Sequence, residues 1–167
     1  MATLKSEIQV TIKGLLSLLG DLQEATAPVF LQRTLALADG VGANQARTIF
    51  ADNRTLAPST TEDLDLAGGT LVDPFGAAFA PTKVRAIIIV AAVGNVNNVV
   101  IGGDVNSLPF LSAAATTVTL KPGGIFVFVD PSLAGVAVTP GTGDIIQVAN
   151  SGAGTSVDYS VVIIGTP

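Results

Sequence analysis

Val84-Arg85-Ala86-Ile87-Ile88-Ile89-Val90-Ala91-Ala92-Val93 is the stretch that decides the fold. Its Val and Ile suit a pleated strand buried on most of its surface. Asn95-Val96-Asn97-Asn98 follows with turn chemistry, then the short apolar segment Val99-Val100-Ile101, stopped by Gly102-Gly103-Asp104. The same alternation of strand and breaker runs to the end of the chain. Thr116–Leu120 meets Lys121-Pro122-Gly123-Gly124, and Ile125–Val129 meets Asp130-Pro131. Val136–Val138, Ile145–Val148 and Val157–Ile164 complete the set, separated by Thr139-Pro140-Gly141-Thr142-Gly143 and Asn150-Ser151-Gly152-Ala153-Gly154. Strands spaced by roughly 8–12 residues predict an antiparallel sandwich or barrel. Crossover helices, which parallel strands need, are missing between them.

Upstream, Ile8, Val10 and Ile12 alternate with Glu7, Gln9, Thr11 and Lys13, as in a half-buried strand. Leu15, Leu18, Leu19 and Leu22 then fall at helical spacing, while Leu16, Leu18 and Leu22 also fit a period of two. Gly14 and Gly20 each weaken a helix by about 1 kcal/mol relative to Ala. The stretch fits a strand slightly better than a short helix, and both stay open. Phe30–Leu37, Thr48–Leu56 and Thr61–Leu66 read as strands, the last with one wet, acidic face. Asp39–Asn44 is a loop, and the loop-rich Gly68–Pro81 is a candidate boundary, although a split there leaves two small halves. The expected architecture is all-β: an antiparallel, jelly-roll-like β-sandwich over 43–167 with an N-terminal extension or arm over 1–42.

Composition narrows the function. The chain of 167 residues is 49% apolar and only 13% charged, with a net charge of −5 and no His, Cys or Trp. Soluble domains carry about a quarter charged residues. Either Ala, Thr, Ser and Asn cover this surface, or other chains do. Without Cys or His there is no thiolate nucleophile, no sulfur-ligated metal and no imidazole base. The eight cations are scattered, so nucleic-acid binding is not expected. No apolar run approaches the roughly 20 residues of a membrane helix, and aromatic girdles of a membrane barrel are missing. Met1-Ala2-Thr3-Leu4-Lys5 shows no signal-peptide pattern.

Few constellations carry chemistry. Glu62, Asp63 and Asp65 form the densest carboxylate cluster, which reads as a solvated strand edge rather than a cation site. Gly40-Val41-Gly42 and Gly141-Thr142-Gly143-Asp144 lack the Lys and spacing of phosphate loops and read as turns. Gly102-Gly103-Asp104 lacks calcium-loop spacing. Asn53-Arg54-Thr55 matches a glycosylation sequon by composition alone. No catalytic, cofactor-binding or metal-binding residues are assigned, and an enzyme is not expected. The candidate intermolecular contacts are Leu15, Leu16, Leu18, Leu19 and Leu22; the alternative for them is ordinary core packing. Burial of each Leu at an interface is worth roughly 1.5–3 kcal/mol.

Asn53-Arg54-Thr55-Leu56-Ala57, Thr61–Gly68, Lys121-Pro122-Gly123-Gly124 and the tail from Gly141 to Gly165 together resemble a class of small tailed-bacteriophage virion proteins similar to jelly-roll head-decoration (cement) proteins. The likeness spans Ala43 to the end and rests on turn and strand motifs. It implies a β-sandwich, a homo-oligomer (commonly a trimer), the major capsid protein as partner, and a place on the outer capsid after synthesis in the host cytoplasm. It transfers no functional residue. A tail-fibre, spike or baseplate component that binds a host receptor is the alternative, followed by a ligand-binding sandwich or small hydrolase outside a virus.

Overall fold

The computed structural model describes residues 3–113 and 115–167. Met1 and Ala2, on which part of the signal-peptide reading falls, lie outside the described residues. Twelve strands and no helix form among the described residues. β1 (Ser6–Leu19) and β2 (Glu24–Asp39) make a long antiparallel hairpin, and β3 (Gln45–Ala46) pairs parallel to the end of β2. The rest follow as β4 (Thr48–Leu56), β5 (Thr61–Asp65), β6 (Lys83–Ala91), β7 (Val99–Gly102), β8 (Thr117–Leu120), β9 (Ile125–Val129), β10 (Val136–Ala137), β11 (Ile145–Asn150) and β12 (Val157–Thr166).

These strands build an antiparallel β-sandwich. One sheet has the order β4-β12-β6, with β9 and the short β10 both pairing the far edge of β6. The other has the order β5-β11-β7-β8. The decisive run is central to the first sheet: β6 pairs β12 on one side and β9 on the other. Period-two alternation sends Ile87, Ile89, Val161 and Ile163 inward, where they join Leu64, Ile101, Ile146 and Val148 of the second sheet in one core.

Two sequence readings change. Gly68–Pro81 is no boundary. Leu71 and Phe79 from this loop are buried in the core, with Phe79 donating its N–H to the Leu71 carbonyl at 2.8 Å and its ring 5.8 Å from that of Phe50. The helical alternative for Leu15–Leu22 also fails. The strand continues to Leu19, and a turn at Gly20–Gln23 reverses the chain, with Gly20 N–H donating to the Gln23 carbonyl at 3.2 Å. Pairing with β2 through 14 antiparallel positions satisfies a backbone that Gly14 and Gly20 make a poor helix.

The sandwich has two unlike ends. At one, the loop after β6 meets the loop after β11: Asn97 Nδ2 donates to the carbonyls of Gly152 and Thr155, both at 2.9 Å. The loops after β4 and β8 join them through Ser59 N–H to the Gly152 carbonyl and Gly123 N–H to the Ala92 carbonyl. At the other end, Gly102 takes φ 92°, where an added Cβ would stand 2.4 Å from the Thr116 carbonyl oxygen, so only Gly fits. The hairpin is rooted at this end. Leu4, Ile8, Leu35 and Leu37 pack on the outer side of the first sheet against Ala86, Ile164 and Val129.

The root has one unusual support. Ile164 pairs Ala86 and Gly165 pairs Val84, so Arg85 is the extra residue of a β-bulge. Its side chain is wholly buried, and Nη2 donates to the carbonyls of Val41 (3.4 Å), Gly42 (3.2 Å) and Leu133 (3.4 Å). The Gly40–Gly42 segment is therefore a turn held from beneath by a cation. It has no phosphate-loop geometry.

Candidate interaction surface

The hairpin register sorts its side chains onto two faces. Opposite residues share a side, so Ile8 and Leu35, Ile12 and Leu31, Gly14 and Val29, Leu16 and Ala27, and Leu18 and Ala25 lie together. This face is apolar from root to tip apart from Ser6 and Arg33. The reverse face carries Glu7, Gln9, Thr11, Lys13, Ser17 and their partners Thr34, Gln32 and Thr26, with Leu15, Leu19, Pro28 and Phe30 among them. Lys13 Nζ lies 6.0 Å from the centre of the Phe30 ring, so that aromatic already has a cationic neighbour.

Only the root of the apolar face is covered. Leu37 is buried and Ile8 and Leu35 are half-buried, but Val10, Ile12, Leu16, Leu18, Val29 and Leu31 are all exposed. The 14 paired positions make an arm about 45 Å long at roughly 3.4 Å per residue, and a two-stranded hairpin alone is marginal in water. A bare apolar face of this length is a candidate docking surface.

The five sequence candidates all lie on this arm and all are exposed, so core packing within the chain does not account for them. They are not equivalent. Leu16 and Leu18, 73% and 71% exposed, belong to the apolar face; Leu15 and Leu19 belong to the polar one; Leu22 stands free in the turn. Sequence reasoning left Val10, Ile12, Val29 and Leu31, which share this exposed face, out of its candidates. The signal was the turn at Gly20-Asp21: folding both strands about it brings the two apolar rows to one side.

The other candidate groups have partners within the chain, except Asp144 Oδ1, which is buried without one among the described residues. Glu62 sits at the open edge between the sheets, where Oε1 accepts from Arg54 Nη1 and Oε2 accepts from the Tyr159 hydroxyl at 2.8 Å. Burial, then the Glu62 hydrogen bond, pushes the Tyr159 phenol well above its usual range. Asp63 accepts from Gln147 Nε2 at 2.9 Å, and Asp65 accepts the N–H groups of Ala67 and Gly68. The three acids thus serve three separate neighbours. Hydrogen bonds from the Ser132 hydroxyl and N–H hold Asp130 below the ordinary carboxylate range, with the Arg85 charge adding to them. Asp104 accepts the Asn106 N–H at 2.6 Å, and Asp144 accepts the Gly141 N–H at 2.7 Å. Asn53 lies on the outer side of β4 and accepts from Ser160 at 2.6 Å, beside Thr55 donating to Asp158 at 2.5 Å. Among the described residues no group of three or more acidic, His or Cys side chains is placed to hold a metal ion. No helix among them is long and apolar enough to cross a membrane.

Comparison with protein-family models, with curated proteins and with solved structures finds no match for this chain.

Proposed function

We propose that this chain is a structural, non-enzymatic component of a tailed-bacteriophage virion: a capsid decoration (cement) protein on the outer head surface, holding its neighbours through the arm. The observation that carries the reading is the one-sided apolar hairpin on a sandwich poor in charge. A protein that joins a repeated lattice needs a stiff body and a large apolar contact, and it needs no reactive side chain. The strand order supports a jelly roll. Sheets β4-β12-β6-β9 and β5-β11-β7-β8, entered alternately by the chain except at β7–β8 and β9–β10, follow the eight-stranded scheme common in capsid proteins. Fold alone does not assign function, so the sequence resemblance supplies the viral context.

Copy number tests the reading. Densitometry of purified particles against the major capsid protein should find tens to hundreds of copies per virion. A ratio of a few per particle would move the chain to a tail fibre, spike or baseplate, and absence from particles would end the viral reading.

A further inference from the structure

We infer that the uncovered half of the arm packs face to face with the same half of a second copy, the two arms running antiparallel about a two-fold axis. This rests on the reading of the arm as a contact surface and names what it contacts.

The arm needs one covering layer. Its apolar face is bare beyond Val10, while its reverse face carries Gln9, Thr11, Lys13 and Gln32 and is suited to water. A second amphipathic hairpin is the simplest such layer, stacking at about 10 Å as two sheets do. The bare residues Val10, Ile12, Leu16, Leu18, Val29 and Leu31 of that face together expose on the order of 600 Å², at the low end of the roughly 600–1,000 Å² per partner of specific interfaces. The contact also continues one already made. Ile8, Leu35 and Leu37 of the same face are packed on the chain's own sheet, so the second copy takes over where the sandwich stops.

The direction follows from the body. The sandwich sits on the apolar side of the arm root. Two arms stacked with tips together would drive each root into the other's sandwich, and a three-fold bundle of parallel arms meets the same obstacle. Antiparallel arms, overlapping only beyond Val10, keep both bodies clear at opposite ends. Charge agrees. Arg33 is the one ionised residue on the apolar face, it lies opposite Val10, and among the described residues it has no carboxylate partner. Asp21 lies in the tip turn, while Glu24, opposite Leu19, belongs to the reverse face. Antiparallel overlap brings the acidic tip of one copy to Arg33 of the other. Edge-to-edge pairing through the free edge of β1 would leave the apolar face uncovered.

The full chain tests this. Sedimentation equilibrium should show a dimer, and Leu16→Asp with Leu18→Asp should make it a monomer whose sandwich still unfolds in one cooperative transition. Arg33→Glu should weaken dimerisation tenfold or more, and adding Asp21→Lys should restore part of that loss. The chain has no Cys, so Leu22→Cys takes a single nitroxide at the tip. Antiparallel arms overlapping over roughly ten residues put the two labels about 35 Å apart, whereas parallel tips bring them within about 20 Å. A monomer at all concentrations, a dimer indifferent to Asp at Leu16 and Leu18 or to Arg33→Glu, or a short label distance overturns the proposal. A monomer that still decorates particles overturns it while leaving the virion role standing. A dimer absent from particles does the reverse.

Discussion

Tyr159 shows what one buried hydroxyl does for this sandwich. It is 2% exposed, and it fills the edge between the sheets while donating to Glu62, which also holds Arg54. Ionising the phenol would place a second negative charge against Glu62 in a dry site, so its folded pKa is raised above the ordinary 10.0. The unfolded chain then loses its phenolic proton first. The contribution is fully present below about pH 10 and is lost as pH rises above it, with a limiting slope of about 1.4 kcal/mol per pH unit. Tyr159→Phe should flatten this alkaline decline and lower stability at pH 7 by about 1 kcal/mol, since Glu62 loses a donor. Urea unfolding of both proteins between pH 7 and 11 checks the pair; parallel curves would refute the argument. Arg85 is the contrasting residue. It lies in the most apolar run of the chain, and no local pattern in Val84–Val93 marks it as the extra residue of a bulge. Its role depends on carbonyls more than 40 residues away, at Val41, Gly42 and Leu133.

At the scale of elements, the two faces of the arm make Leu18 and Leu19 a natural comparison. They are adjacent in sequence and opposite in space. Leu18→Asp should dissociate the oligomer, while Leu19→Asp should leave it assembled, with the core unaffected in both. Size-exclusion chromatography of the two single variants decides it, and equal behaviour would remove the face assignment. The strands from Thr82 onward were legible because their signals are local: β-branched runs ended by Asn, Gly and Pro. The leucines were less so. Their spacing fits two periods, and the choice between them was made by pairing with Glu24–Asp39, a partner that appears only once the chain turns at Gly20. Gly68–Pro81 misled in a similar way. Its turn residues are conspicuous, while the two side chains that bury it in the core, Leu71 and Phe79, are isolated in sequence.

Across the whole molecule, the arm and the body divide stability from attachment. The core holds residues of both sheets and of the Gly68–Pro81 loop, while the arm beyond Val10 packs on nothing outside the arm among the described residues. Replacing residues 12–31 by Asn-Gly, which joins Thr11 to Gln32 across an existing pair, should yield a monomer whose melting temperature stays within a few degrees of the parent. Differential scanning calorimetry with sedimentation checks both halves of that statement, and a large drop in melting temperature would show that the outer arm supports the body. The four-loop cluster stands at the opposite end of β12 from the arm root, about 30 Å away at roughly 3.3 Å per residue. Nothing lies within 4 Å of where a side chain on Gly154 would begin. A foreign epitope spliced into the loop between β11 and β12 would therefore hang free of the docking leucines, making the anchored chain a display scaffold whose cargo and tether never meet.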